Sequence, residues 1–198
     1  KLMKEAVRDL RIDSGFSEDD LVVVYSGLAS EDRGLEMLVQ AVAMMDEIKL
    51  ALIVNDHPVT HSYIQSLLTA HGCGERCAII SYVEPDEVVS YIKTADIAVL
   101  PFMRYRKDGT INKQLDGALA NKLFDSWNAN LNLVVSDCKE QVRFSNGDAN
   151  TFVYDSRSLE GLVEAIKLAV NRSSLDTERI HVFWEDQIEA IRLIHGDS

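Results

Sequence analysis

Short β-branched runs alternate along the chain with longer stretches whose apolar residues recur at helical intervals, the pattern of a parallel sheet wrapped by helices. The first run, Leu21-Val22-Val23-Val24-Tyr25, ends at Ser26-Gly27, and beyond a polar turn Leu35, Leu38, Val39 and Val42 recur at helix spacing. Leu50-Ala51-Leu52-Ile53-Val54 is the second run, closed by Asn55-Asp56-His57-Pro58, with a helix expected over 62–70. Ala78-Ile79-Ile80-Ser81-Tyr82 is the third; Pro85 stands where the first turn of a helix accepts proline, and residues 87–93 continue that helix. Ile97-Ala98-Val99-Leu100 is the fourth, stopped by Pro101. Periodicity then fails from Phe102 to about Gly117, which predicts a long, mobile loop.

The alternation resumes with a helix over 118–128, a fifth strand Leu131-Asn132-Leu133-Val134-Val135 and a short sixth over 151–154. Leu159, Leu162, Val163 and Ile166 mark an amphipathic helix. A C-terminal helix is expected over 178–194, where Trp184, Ile188, Ile191 and Ile194 form one apolar stripe. About six strands flanked by helices make an α/β fold.

Length and composition narrow this picture. The 198 residues suffice for one generous α/β domain and fall short of two average ones, so residues 1–198 are expected to form a single domain. A composition of 46% hydrophobic and 26% charged residues, without a run long enough to cross a bilayer, is that of a soluble globular protein. The net charge of −12 argues against non-specific binding to nucleic acid or an anionic membrane, so any anionic ligand must be held by a local cluster.

Cys73, Cys77 and Cys138 match neither zinc-site nor secreted-disulfide spacing, and read as reduced thiols of a cytoplasmic protein. His57 and His61 are four apart, but Pro58 between them reads as a loop or helix start rather than a metal site. Lys1-Leu2-Met3-Lys4-Glu5 is no signal peptide, and the lack of an initiating Met reads as an excised fragment.

In an open parallel sheet, ligands sit at the carboxyl ends of the strands, where loops feed helix N-termini. Four segments qualify: 26–34, 55–58, 82–85 and 102–125. In the first, Gly27 permits close backbone approach and Arg33 offers a fixed, forked charge suited to a diphosphate. In the last, Lys122 and Asp125 stand three apart near a helix start, where a cation could neutralise phosphate and a carboxylate could accept from a ribose diol. Taken singly, each also reads as a turn glycine, a solvated arginine or a surface ion pair. Arg104, Arg106 and Lys107 read equally well as merely solvated.

Taken in order, the segments Tyr25-Ser26-Gly27, Arg33-Gly34, Ala95-Asp96-Ile97-Ala98-Val99-Leu100-Pro101 and Asn121-Lys122-Leu123-Phe124-Asp125 resemble the C-terminal, donor-binding domain of retaining GT-B glycosyltransferases of the group 1 type. His181-Val182-Phe183-Trp184-Glu185 is similar to the Trp-Glu that opens that family's last helix. The resemblance implies a Rossmann-like doubly wound parallel sheet. It also implies transfer of a hexosyl group from a UDP- or GDP-linked sugar to an acceptor hydroxyl, in glycan biosynthesis.

On that resemblance Arg33 and Lys122 carry the catalytic charge at the donor diphosphate. Gly27, Asp56, Tyr82, Val83, Asn121, Leu123 and Asp125 bind substrate: Tyr82-Val83-Glu84 as the base-binding loop, Asp125 at the ribose, and the backbone around Asn121 to Leu123 at the phosphates. No metal ion or cofactor is implied. The acceptor falls to a separate N-terminal domain, through which any peripheral membrane contact would run, so the chain alone is expected to bind donor weakly and turn nothing over.

Four departures accompany the resemblance. Gly117 stands where relatives place the first acid of an E-x7-E motif, and Leu28 where some have a second arginine. Asn55 replaces a glycine, and Asn130 and Asn132 replace a Gly-x-Pro turn. They leave open a degenerate donor-like domain kept for binding or assembly. A sugar-nucleotide epimerase of the same architecture, and a generic flavodoxin-type domain, remain as further alternatives.

Overall fold

A computed structural model describes residues 8–172 and Arg179. Six strands form one all-parallel sheet: β1 (Leu21–Ser26), β2 (Ile48–Ile53), β3 (Cys77–Ile80), β4 (Ile97–Leu100), β5 (Asn132–Ser136) and β6 (Thr151–Tyr154). Their spatial order is β3-β2-β1-β4-β5-β6, so the direction of winding reverses between β1 and β4. The fold is a Rossmann-like, doubly wound α/β domain, and that reversal opens the crevice where such sheets take ligands.

Strand residues alternate between two cores, as a parallel sheet covered on both faces requires. Val23 and Tyr25 of β1 face the helices α2 (Leu35–Ala43), α3 (Pro58–His71) and α8 (Leu159–Val170). Val22 and Val24 face the opposite core, with Leu10 of α1 (Leu10–Ser14), Tyr91 and Ile92 of α4 (Val88–Ile92), and Leu123 of α6 (Asn121–Asn128). Two short helices, α5 (Lys113–Asp116) and α7 (Lys139–Phe144), complete the described α-helices.

Several boundaries differ from expectation. The helix expected from 62 begins at Pro58, because the His57 side chain accepts the Val59 N–H and proline costs nothing at a first helical position. The helix expected from 118 begins at Asn121, because Ala120 is still extended (φ −79°, ψ 144°). The segment 102–117 is not a bare loop: Tyr105 bridges Ile111 in antiparallel fashion, and α5 follows. Neither α1 nor α7 shows a sequence period, since each buries a single residue, Leu10 and Gln141. The helix expected over 178–194 lies almost wholly outside the described residues.

Asp96, in the Ala-Asp-Ile run, ties the amino-terminal edge of the sheet together. Its Oδ2 accepts from the Val22 N–H at 2.7 Å and pairs with Arg11 at 2.9 Å. Arg11 also donates to the carbonyls of Thr94, Ser17 and Asp20, fastening α1 to the sheet. The departure at Asn130 and Asn132 also finds its place here. Asn130 takes a left-handed conformation (φ 59°) that asparagine tolerates, and the Asn132 amide donates to Ala169 O at the end of α8.

Candidate functional site

The carboxyl ends of β1 and β4 lie side by side at the reversal, and two glycines shape the loop leaving β1. Gly27 follows the strand with φ +126°, and a Cβ there would stand 2.7 Å from Lys122 Nζ. Gly34 (φ +68°) opens α2 under the Pro101 carbonyl, which occupies the space of its missing Cβ. Both positions combine a positive φ with a close neighbour, which favours glycine at each; at Gly34 the neighbour is backbone and cannot move away.

Lys122 enters from the first turn of α6 and crosses the crevice toward Gly27. The side chain as a whole is half-buried, but its ammonium nitrogen is fully enclosed and makes no hydrogen bond. It stands 4.1 Å from the centroid of the Tyr25 ring and 5.1 Å from that of Phe102. Burial, and then the charge of Arg33, push its pKa down to about 7. Arg33, in a single 3-10 turn over Glu31–Arg33, lays its guanidinium carbon 4.9 Å over the same Phe102 ring. The two cations singled out in the sequence therefore converge on one aromatic residue.

The remaining expected residues divide. Gly27 joins the crevice, and Asp125 lies on α6 three residues from Lys122, half-buried. Asn121 is exposed at the helix start. Leu123 is fully buried in the core and its backbone N–H donates to Ala120 O. Val83 is likewise a core side chain, which leaves only its backbone to meet a ligand. Tyr82 is 56% exposed beyond the end of β3, its hydroxyl 3.4 Å from Glu84. Asp56 is exposed at the end of β2, with its Oδ1 3.5 Å from His61 Nε2.

Tyr25 and Phe102 are the site residues that sequence reasoning missed. Tyr25 reads as an ordinary strand aromatic and Phe102 as the start of a loop. The available signal was the position of each at the carboxyl end of an expected strand.

Arg104, which read equally well as merely solvated, is half-buried between Asp116 (2.9 Å) and Asp137 (3.2 Å). Asp116 also accepts the Lys139 N–H, and Asp137 the Ser156 N–H, so the loops after β4, β5 and β6 are joined. At the tip of the first of these, Lys107 pairs with Glu31 at 2.5 Å, and Met103 N–H donates to Asp32 O. The segment 102–117 is thereby fastened over the loop that carries Arg33. Among the described residues there is no cluster of three or more metal-ligating side chains, and no helix long and apolar enough to cross a membrane.

The fold is thus that of a doubly wound α/β domain with a cationic crevice at its switch point. The chain belongs to the glycosyl transferases group 1 family, whose sequence model matches residues 7–181. Among solved structures it is similar to sucrose-phosphate synthase from Thermosynechococcus elongatus, at 16% identity and a TM-score of 0.67 over 85% of this chain and 40% of that one. It is also similar to the C-terminal domain of a group 1 glycosyl transferase, LpcC, from Francisella tularensis, at 10% identity and a TM-score of 0.64 over 87% of each chain. Anabaena HepE in complex with UDP and glucose matches at 11% identity and a TM-score of 0.64, over 78% of this chain and 40% of that one. These likenesses give the GT-B fold, and the chain spans less than half the length of the first and third. No curated protein matches the sequence.

Proposed function

We propose that residues 1–198 form the donor-binding half of a glycosyltransferase active site, whose acceptor half is a separate N-terminal domain. The observation that carries this reading is the Lys122 ammonium, enclosed, unbonded and facing the open side of Gly27. A buried cation without a hydrogen-bond acceptor is costly, and an anionic ligand offsets that cost by supplying one. Arg33 beside it makes the crevice a two-cation site, suited to the two phosphates of a nucleotide sugar.

In the reaction, the bond from the sugar C1 to the diphosphate oxygen breaks and a bond from C1 to the acceptor oxygen forms, while the acceptor hydroxyl gives its proton to the departing phosphate oxygen. Negative charge grows on the leaving diphosphate, so fixed cations at that point stabilise the transition state more than the ground state. Asp125 accepts from the ribose hydroxyls, the Tyr82 loop borders the base, and Asn121 offers a helix-start N–H to phosphate. Asp56 lines the same edge. The complexes of Anabaena HepE with UDP and with UDP-glucose favour a uridine donor over a guanosine one as the first to test.

Calorimetric titration with UDP, GDP and inorganic pyrophosphate tests the reading. Saturable binding of UDP that Lys122→Met abolishes supports it. Asp125→Asn should weaken UDP while sparing pyrophosphate, because only the nucleotide carries a ribose. Absence of saturable heat for every nucleotide would sink it.

A second reading, a donor-like domain kept for assembly, has one observation in its favour. Gly117 has no carboxylate, and the adjacent Asp116 is committed to Arg104 and the Lys139 N–H. On that reading nucleotides bind weakly or not at all, and the same titration separates the two.

A further inference from the structure

Phe102 follows Pro101 at the end of β4 and carries no group that can bond a phosphate. Its ring is fully buried, yet it contacts both cations of the crevice, with Arg33 at 4.9 Å and Lys122 at 5.1 Å from its centroid. Those two cations repel each other, and Lys122 has no hydrogen-bonded counter-ion. A carboxylate between them would offset the repulsion but would also compete with an incoming phosphate. The negative face of an aromatic ring offsets part of it and leaves every N–H available.

The ring itself is held from several sides. Before it, the Pro101 carbonyl fills the space beside Gly34; after it, the Met103 N–H donates to Asp32 O at 3.0 Å. Both contacts go to the loop that carries Arg33. On the other flank the ring packs with Leu115, Cys138 and Ala120, and Ala120 is the residue from which α6 and Lys122 start. Phe102 is therefore the joint between the two segments that supply the cations.

We infer that Phe102 is a positioning residue: its ring holds Arg33 and Lys122 side by side so that both meet the donor diphosphate together. This role rests on the donor-binding reading of the crevice. It predicts that what matters at position 102 is the charge distribution of the ring as well as its bulk, which a purely structural core residue would not require.

The test is a series in which Phe102 is replaced by mono-, di- and trifluorophenylalanine, which keep the ring's shape while draining its negative face. UDP affinity should fall stepwise, by about tenfold at the end of the series, with the melting temperature held. The titration midpoint of isotopically labelled Lys122, read by NMR without ligand, should fall in the same order. Phe102→Leu, which removes the ring at similar volume, should lose at least as much affinity; if it does not fold, the fluorinated series decides. Affinity and midpoint that stay flat while Lys122→Met abolishes UDP binding overturn the role of Phe102 and leave the donor reading standing. If Lys122→Met binds UDP as well as the parent, the donor reading fails and this role fails with it.

Discussion

The ammonium nitrogen of Lys122 lies 2.7 Å from the point where a Cβ on Gly27 would stand. A turn glycine and a helix-start lysine, far apart in the chain, thus define a single feature. The glycine keeps open the space above the strand end, and the lysine delivers charge into it.

Gly27→Ala should therefore harm binding more than folding. The added carbon meets the far end of a flexible side chain, which can swing aside, so destabilisation stays at about 1 kcal/mol while UDP affinity drops on the order of tenfold. Gly34→Ala meets the Pro101 carbonyl, a backbone atom that cannot move away, and should cost about 2–4 kcal/mol. Gly109→Ala, at φ +81° with open space around it, should cost about 1 kcal/mol and leave UDP binding intact. Thermal melts beside calorimetry read all three.

Ligand binding should be coupled to protons through Lys122. Its folded pKa is depressed to about 7, and a bound diphosphate favours the charged form, so binding above that pH takes up a proton. UDP affinity should fall as pH rises from about 7 toward 9. Calorimetry in buffers of different ionisation enthalpy should report proton uptake in the parent and none from this site in Lys122→Met.

The same depressed pKa has a sign for stability. The unfolded chain holds a proton on this lysine up to its ordinary value near 10.5, whereas the folded chain releases it from about 7. The unfolded state binds more protons in that window, so the contribution of Lys122 to stability rises with pH across it. Denaturant melts of parent and Lys122→Met should differ in slope against pH between 7 and 10, with the variant flatter.

Arg104→Ala should loosen the segment after β4. Removing the guanidinium leaves Asp116 and Asp137 facing each other without a cation, a change worth about 1 kcal/mol at a half-buried position. Hydrogen exchange should speed up at the amides of Met103, Arg106 and Asn112, which donate to Asp32, Thr110 and Arg104 in the folded segment. Unchanged exchange there would show that the ion pairs do not hold it.

Asp96→Ala should cost about 1–3 kcal/mol, because it strips the Val22 N–H of its acceptor and Arg11 of its counter-charge. UDP affinity should be unaffected, since this tie lies at the amino-terminal edge, opposite the crevice. Urea denaturation followed by titration checks both halves.

Much of the fold was legible because the strands are short, mainly apolar runs and helices such as α2 and α8 carry a clear apolar stripe. Leu35, Leu38, Val39 and Val42 announce α2 without ambiguity. By contrast α1 and α7 bury one residue each, Leu10 and the polar Gln141, and a single buried position has no period to detect. The segment 102–117 hid its order for a related reason: its ties run through Arg104, Lys107 and backbone groups, to partners on other loops.

Of the candidate site, Gly27, Arg33 and Lys122 could be named from their order along the chain, although each alone also reads as a turn glycine, a solvated arginine or half of a surface ion pair. Leu123 and Val83 were carried with them as neighbours in the chain, yet the packing directs both side chains inward. Tyr25 and Phe102 escaped notice because an aromatic residue in sequence has no partner, and a cation–π contact exists only once two chain segments meet.

The sequence by itself determined the alternation of strands and helices, because periodicity is a local property that each segment carries whole. It also determined which glycines and cations stand at strand ends. The tertiary structure alone decided that β1 and β4 lie side by side, that Lys122 reaches the space above Gly27, and that one ring carries both cations. Those are relations between distant segments, fixed by how helices pack on both faces of the sheet, and no local pattern encodes them.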